Sequence, residues 1–266
     1  MAFMEVNFFS DVLGMCMSMY VIVPQKTRGN IGVTEGDFDS TYPTLYLLHG
    51  MSDDHTIWMR RTSIERYAES RGIAVVMPTT YLGWYTDMKL GGKYRTFVGE
   101  ELPKICRSFF PMMSHKREDT YLAGNSMGGS GSAAIALTYP DTFSVAAPLS
   151  GAFDPKWLYN PDHPENTYFA DIFGDIKDFD GSENDLWHLA KTVKEAGGNL
   201  PKFFMWCGTE DFLFSANTAF RDHLVSLGYD LTYTQTPGNH SWYYWDREIQ
   251  SVLRYIREYR KARKEI

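Results

Sequence analysis

One serine in this chain is framed by glycines. Gly124-Asn125-Ser126-Met127-Gly128 fits the pattern G-x-S-x-G, and an alanine-rich stretch follows it to Tyr139. Glycine is costly inside regular structure, roughly 0.5–1 kcal/mol against alanine, so its repetition needs a reason. A sharp turn from a strand into a helix supplies one. Such a turn holds the serine in a strained backbone conformation with its Oγ exposed, and the flanking positions leave no room for a Cβ. Gly129, Ser130, Gly131 and Ser132 keep the start of the helix slim. The helix start also brings backbone N–H groups and a positive dipole end beside the hydroxyl, where a developing oxyanion would form. The chemistry indicated is nucleophilic attack on an acyl carbon.

A serine hydroxyl needs a base, and the base needs an orienting acid. In enzymes with this elbow both follow the serine in the chain, acid first. The histidines downstream of Ser126 are His163, His188, His223 and His240. His223 falls inside a helical pattern, and His163 and His188 lie in or near an irregular stretch. His240 follows the strand-like "LTYTQT" and the turn "PGNH", which places it at a strand's carboxyl end. It is the expected base. For the acid, "FFMWCGTEDF" ends a strand at Gly208 and offers Glu210 and Asp211. Asp211 is the expected partner, with Glu210 facing outward and Asp154 and Asp180 as weaker rivals. Two N–H donors should bind the oxyanion: that of Met127, directly after the serine, and that of Met51, in the loop "HGMSDDH" after the strand "TLYLLHG". Gly50 gives that backbone room to approach. His49 is expected to shape the loop and not to act as a second base.

The elements that must position these groups alternate. Strand-like runs are "MYVIVP", "TLYLLHG", "IAVVMP", "DTYLAG", "SVAAPLSG", "KFFMWCG" and "LTYTQTPG". Helical patterns cover 57–70, 96–110, 129–139, 216–227 and 242–263. Runs such as "TLYLLH" and "FFMWC" are apolar at successive positions, as in strands buried on both faces of a parallel sheet. The pattern predicts an α/β fold with right-handed crossovers and a mostly parallel central sheet flanked by helices. The apolar N-terminus "MAFMEVNFFSDVLGMCMSMYVIVP" has no basic leader and is interrupted by Glu5 and Asp11, so a first hairpin is expected there, not a signal peptide. Residues 1–266 are expected to form one domain. The stretch 153–187, which contains "DPKWLYNPDHPENTYF", breaks the rhythm after the sixth strand and is expected to be a lid or substrate-binding insertion.

Composition narrows the partners. A net charge of −7 with no basic block gives no support for nucleic acid or an anionic membrane surface. No apolar run is long enough for a transmembrane helix. Cys16, Cys106 and Cys207 are odd in number and widely spaced, which fits reduced thiols and a cytoplasmic protein. No metal-ligand spacing occurs. Aromatics make up 15% of residues. Trp58, Trp84, Tyr85, Trp157, Trp242 and Tyr243 fall near predicted strand ends, and Trp84 and Trp242 are the expected substrate-binding members.

The segments "LYLLHGMSDDHTIWMRRTSIERYA", "VVMPTTYLGWYTDM", "AGNSMGG", "WCGTEDF" and "GNHSWYYWDREI" resemble the esterase D-like α/β-hydrolases, nearest to the tributyrin esterases and to the acetyl and feruloyl esterases of carbohydrate esterase family 1. The resemblance spans almost the whole chain and is weakest across 154–184. It implies an α/β-hydrolase fold, hydrolysis of short-chain acyl esters, small-molecule or carbohydrate esters as partners, and no cofactor. It carries Ser126, Asp211 and His240 over as the catalytic residues and Met51 and Met127 as the oxyanion-hole donors. A thioesterase of the S-formylglutathione hydrolase type, or an acyltransferase, is the alternative. That branch usually carries a cysteine in the loop after the oxyanion glycine, and "GMSDDHTIW" has none. Homo-oligomerisation is left open by the sequence.

Overall fold

Four successive strands are apolar at consecutive positions because both of their faces are covered. β3 (Thr44–Leu48), β4 (Ala74–Pro78), β5 (Thr120–Asn125) and β6 (Val145–Leu149) are buried from end to end in the computed structural model. The model describes residues 1–26, 31, 41–163 and 166–264. The hairpin β1 (Ala2–Ser10) and β2 (Met15–Val23) precedes them, and β7 (Lys202–Gly208) and β8 (Leu231–Thr236) complete an eight-stranded sheet of order β1-β2-β4-β3-β5-β6-β7-β8. β3 to β8 run parallel, and the hairpin joins antiparallel through β2 and β4. The edge strands show the alternation that the centre lacks: β1 and β8 switch between covered and open positions.

Side chains alternate between two cores. Leu45 and Leu47 of β3 point to one face with Val75, Tyr121, Trp206 and Ile249. Tyr46 and Leu48 point to the other with Val76, Leu122, Phe97 and Phe203. The first core is closed by α1 (Ile57–Arg61), α2 (Ile64–Glu69) and α9 (Trp242–Lys264). The second is closed by α3 (Tyr94–Thr96), α4 (Leu102–Phe109), α5 (Met127–Thr138), α6 (Tyr168–Phe173), α7 (Leu186–Ala196) and α8 (Phe214–Ser226). α9 is long but polar, and among the described residues no helix is long and apolar enough to cross a membrane.

Two expected helices are broken, each for a local reason. The pattern over 57–70 divides at Thr62, whose backbone is extended, and Asp246 of α9 holds the break by accepting from the N–H of Ser63 and the hydroxyl of Tyr67. The pattern over 96–110 contains a π-helical segment, Phe97–Glu101, before α4. Pro103 has no N–H to bond the carbonyl of Gly99, so the regular ladder cannot continue through it. Glu101, at the end of that segment, accepts the N–H groups of Asp11 and Val12 and so anchors the β1–β2 turn. The stretch 153–187, apart from residues 164–165, which lie outside the described residues, is less irregular than its composition implies. It holds α6 and 3₁₀ turns at Pro155–Leu158 and Ile176–Asp178, and α7 begins inside it.

α5 has no polar face: every residue from Met127 to Leu137 is buried. It lies so close to the sheet that two of its glycine contacts are backbone to backbone. A Cβ on Gly128 would sit 2.5 Å from the carbonyl oxygen of Leu48 and 2.6 Å from that of His49. A Cβ on Gly124 would sit 2.5 Å from the carbonyl oxygen of Gly128. Neither neighbour can swing away as a side chain could. Gly128→Ala should therefore destabilise the fold by about 1–3 kcal/mol, the usual range for overpacking. Urea unfolding checks this, and a midpoint equal to the parent's would refute the close-approach argument.

Candidate active site

Ser126 stands at the junction of β5 and α5 with φ 54° and ψ −119°, a region that costs a non-glycine residue roughly 1–3 kcal/mol. The neighbouring strand holds it there. Its N–H donates to the carbonyl of Leu149 at 2.9 Å, and its carbonyl accepts from the N–H of Ala152 at 3.1 Å. Met127 is the first residue of α5, so its N–H is one of the helix's unpaired donors and lies beside the serine.

His240 arrives in the loop after β8. Its Nε2 is 2.9 Å from Ser126 Oγ. Its Nδ1 is 2.9 Å and 3.0 Å from the two carboxylate oxygens of Asp211. A carboxylate can only accept, so Nδ1 carries the proton and Nε2 turns its lone pair to the serine hydroxyl. Phe212 and Trp245 flank the ring, with centroids 4.6 Å and 4.8 Å away. The Asp211 side chain is fully buried and also accepts the N–H of Leu213 at 2.9 Å. Glu210 faces outward, as expected from sequence, yet has a task there. Its carboxylate accepts the N–H of Gly238 while its own N–H donates to the Gly238 carbonyl at 2.9 Å. The acid loop and the histidine loop are thus stitched together. The rival groups lie elsewhere: His223 bonds the carbonyl of Trp187, His188 stands beside Thr192, Asp154 caps Lys156, and Asp180 pairs with Lys156.

His49 is buried and shapes the third loop. The Thr80 N–H donates to its Nε2 at 3.0 Å, which leaves Nδ1 as the donor to the Gly50 carbonyl at 2.7 Å. All peptide bonds of the described residues are trans, so fixing the Gly50 carbonyl turns the Met51 N–H the opposite way. Tyr85 donates to the His49 carbonyl at 3.0 Å, and Trp58 donates to the Leu48 carbonyl at 2.9 Å. These two aromatics are therefore scaffold, not substrate wall. Tyr243 is 77% exposed on the outer surface.

A cavity of about 280 Å³ opens over Ser126 and His240. Gly50, Met51, Trp84 and Trp242, which the sequence pointed to, all line it. So do Trp157, Phe212, Asp53 and Asn125. Trp157 comes from the 153–187 stretch and meets Trp84 at 6.2 Å between ring centroids. Sequence reasoning passed over Phe212 and Asn125 although each adjoins a motif residue, and adjacency was the signal available. Among the described residues, no group of three or more His, Cys, Asp and Glu is gathered to hold a metal.

A mostly parallel sheet of this order, with a serine at the elbow after β5, defines a serine ester hydrolase of the α/β-hydrolase class. The chain belongs to the esterase family whose model, described as "Putative esterase", matches residues 13–256. It is 31% identical to an acetyl esterase of Caldicellulosiruptor saccharolyticus over 265 residues, covering 96% of this chain and 98% of that one. It superposes on the substrate-bound fluorophosphonate-binding serine hydrolase F of Staphylococcus aureus with a TM-score of 0.85 at 33% identity, over 96% of this chain and 98% of that one. An S-formylglutathione hydrolase of Staphylococcus aureus gives a TM-score of 0.82 at 33% identity over the same shares.

Two groups of the loop after β3 titrate in opposite senses. Burial pushes His49 down from 6.5 to about 4. Between those values the unfolded chain binds a proton that the folded chain refuses. The contribution of neutral His49 is therefore complete above pH 6.5 and lost as pH falls to about 4, an effect on the order of 3 kcal/mol. Burial raises Asp53 from 3.8 to about 6, so Asp53 favours the folded state more as pH falls through the same window and partly offsets the loss. His49→Gln should remove the histidine's share. Its unfolding free energy should fall less than the parent's between pH 6.5 and 4.5. Parallel curves in urea titrations at the two pH values would contradict the assignment.

Proposed function

We propose that this esterase hydrolyses short-chain acyl esters, including acetyl or feruloyl esters of carbohydrates, with Ser126 as nucleophile, His240 as base and Asp211 as orienting acid. The unbroken line of hydrogen bonds from Asp211 through His240 to Ser126 Oγ at the strained elbow is the observation that carries this reading. His240 Nε2 takes the hydroxyl proton as Oγ attacks the ester carbonyl. The N–H groups of Met51 and Met127 receive the tetrahedral oxyanion, each worth about 10²–10³-fold in rate. His240 then returns the proton to the leaving alcohol. Water repeats the cycle on the acyl-enzyme and releases the acid. The buried Asp211 keeps the imidazole in the required tautomer throughout.

The cavity, at about 280 Å³, lies at the small end of ligand pockets, which run roughly 300–1,000 Å³, in keeping with a small ester. The acetyl esterase relative supports the same reading. The aromatic wall of Trp84, Trp157 and Trp242 fits the flat face of a sugar or a phenolic acyl group. The 153–187 stretch bounds the pocket through Trp157 in this proposal. A thioester of the S-formylglutathione kind is the second reading, favoured by the 33% identity to a hydrolase of that name and opposed by the loop without cysteine. The free thiols of Cys16, Cys106 and Cys207 support a reducing, cytoplasmic setting.

Ser126→Ala should abolish ester hydrolysis and fluorophosphonate labelling while circular dichroism stays that of the parent. Labelling of another serine in the parent, found by mass spectrometry, would displace Ser126 from its role. Across p-nitrophenyl esters from acetate to palmitate, kcat/KM should peak at acetyl to butyryl. A maximum at octanoyl or beyond would overturn the short-acyl reading.

A further inference from the structure

A groove of about 510 Å³ lies beside the catalytic cavity, and Trp242 lines both. Its lining is cationic. Arg60 and Arg61, in the last turn of α1, face it together with Arg247 of α9. Arg247 is already engaged, with the Glu248 carboxylate at 2.7 Å and the Thr236 hydroxyl at 2.6 Å. Asp246, the carboxylate among the described lining residues, is engaged as well, since it accepts from the N–H of Ser63 and the hydroxyl of Tyr67. Arg60 and Arg61 are exposed, and neither guanidinium makes a hydrogen bond or an ion pair with any described residue. Exposure alone assigns nothing, because water satisfies an exposed guanidinium; the position of these two does. Their charge reaches the catalytic cavity, where it opposes the burial that raises Asp53 in the cavity wall.

We infer that this groove holds an anionic oxygen group, a carboxylate or a phosphate, carried on the leaving group of the ester, with Arg60 and Arg61 as its partners. A planar guanidinium presents paired N–H donors that match either anion. The leaving group, and not the acyl group, is the part that extends here. His240 hands its proton to the leaving atom, and the aromatic row from His240 runs through Trp245 at 4.8 Å to Trp242 at a further 5.2 Å. The groove beyond Trp242 is therefore on the histidine's side of the cavity. Charge points the same way. A chain of net charge −7 repels an anion at a distance, so an anionic ester needs local cations at the mouth of the site. A cationic leaving group would meet two unpaired guanidinium groups there. Tyr243, exposed in the same groove, adds a hydroxyl donor. The inference rests on ester hydrolysis at Ser126 as proposed above and adds to it the charge of the leaving group.

Matched substrates test it. para-Acetoxybenzoate and para-acetoxyphenylpropionate, each beside its neutral amide, place a carboxylate at two distances from the same ester. Comparing the carboxylate-to-amide ratio of kcat/KM between parent and variant cancels the intrinsic reactivity of the leaving groups. In the double variant Arg60→Gln with Arg61→Gln that ratio should fall by about 3- to 20-fold, the worth of two ion pairs at an exposed site, and mainly through KM of the anionic ester. Arg60→Lys with Arg61→Lys, which keeps the charge, should retain most of the parent's ratio. In about 0.5 M NaCl, which screens exposed charges, the parent's ratio should drop towards that of the Gln variant. para-Acetoxyphenyl phosphate separates the two anions: the one that shows the larger fall is the one the groove prefers. Each single Gln variant should show part of the loss and guards against a double variant that fails to fold. A ratio that is the same in parent and Gln variants for both carboxylates and the phosphate would overturn the groove. A parent inactive on every one of these esters would sink the esterase reading together with this inference. An active parent with unchanged ratios would sink the groove alone.

Discussion

The positive φ of Ser126 is the constraint on which the rest of the site depends. A serine does not hold that conformation unaided. It is kept by two backbone hydrogen bonds to Leu149 and Ala152, at the end of β6, and by the approach of α5 to the carbonyls of Leu48 and His49. The approach is possible only because Gly124 and Gly128 lack side chains. The same packing that strains the serine brings the end of β3 alongside it. The loop after β3 and the elbow are therefore positioned by one contact, and neither can shift without the other.

Around that fixed point three loops converge, and each is tied by a polar group that does not itself reach the cavity's centre. His49 fixes the Gly50–Met51 peptide through Nδ1 while Thr80 occupies its other nitrogen. Glu210 binds the loop of Asp211 to the loop of His240 at Gly238. Gly208 allows this closeness, since a Cβ there would fall 2.1 Å from the Gly238 carbonyl oxygen. Behind them, Ser150, itself at φ 50°, accepts from the indole of Trp245, whose ring packs edge-on against His240. Orientation is supplied by backbone and neighbouring polar groups, and the Ser126 hydroxyl is left with His240 as its partner.

The electrostatics of the loop after β3 follow from burial. His49 is neutral because a buried imidazolium would lose its hydration, and neutrality is what lets Nε2 accept from Thr80. Asp53, four residues on, resists ionisation for the same reason and lines the cavity. One residue is matched by Thr80 and Gly50, and the other stays partly exposed at the cavity wall. The difference lies in which neighbours each loop position meets.

Much of this was legible in the chain itself. The apolar runs of β3 to β7 follow from burial on both faces, and a strand covered on both sides needs apolar residues at consecutive positions. The glycines around Ser126 announce a close backbone approach, and the order of Ser126, Asp211 and His240 at strand ends follows from the elbow. These signals are local in sequence because they arise from backbone sterics and strand burial. The breaks at Thr62 and within Phe97–Glu101 depend on Asp246 and Pro103, and only the first of these partners is distant in sequence. Composition also could not sort the aromatics: Trp58 and Tyr85 became hydrogen-bonded scaffold, while Trp157 and Phe212 reached the cavity. Nor could it show that Glu210 stitches two loops or that Asn125 and Asp53 close in on the backbone of Gly50. Those facts depend on distances between segments far apart in the chain, and only the packing of α5 on the sheet brings those segments together.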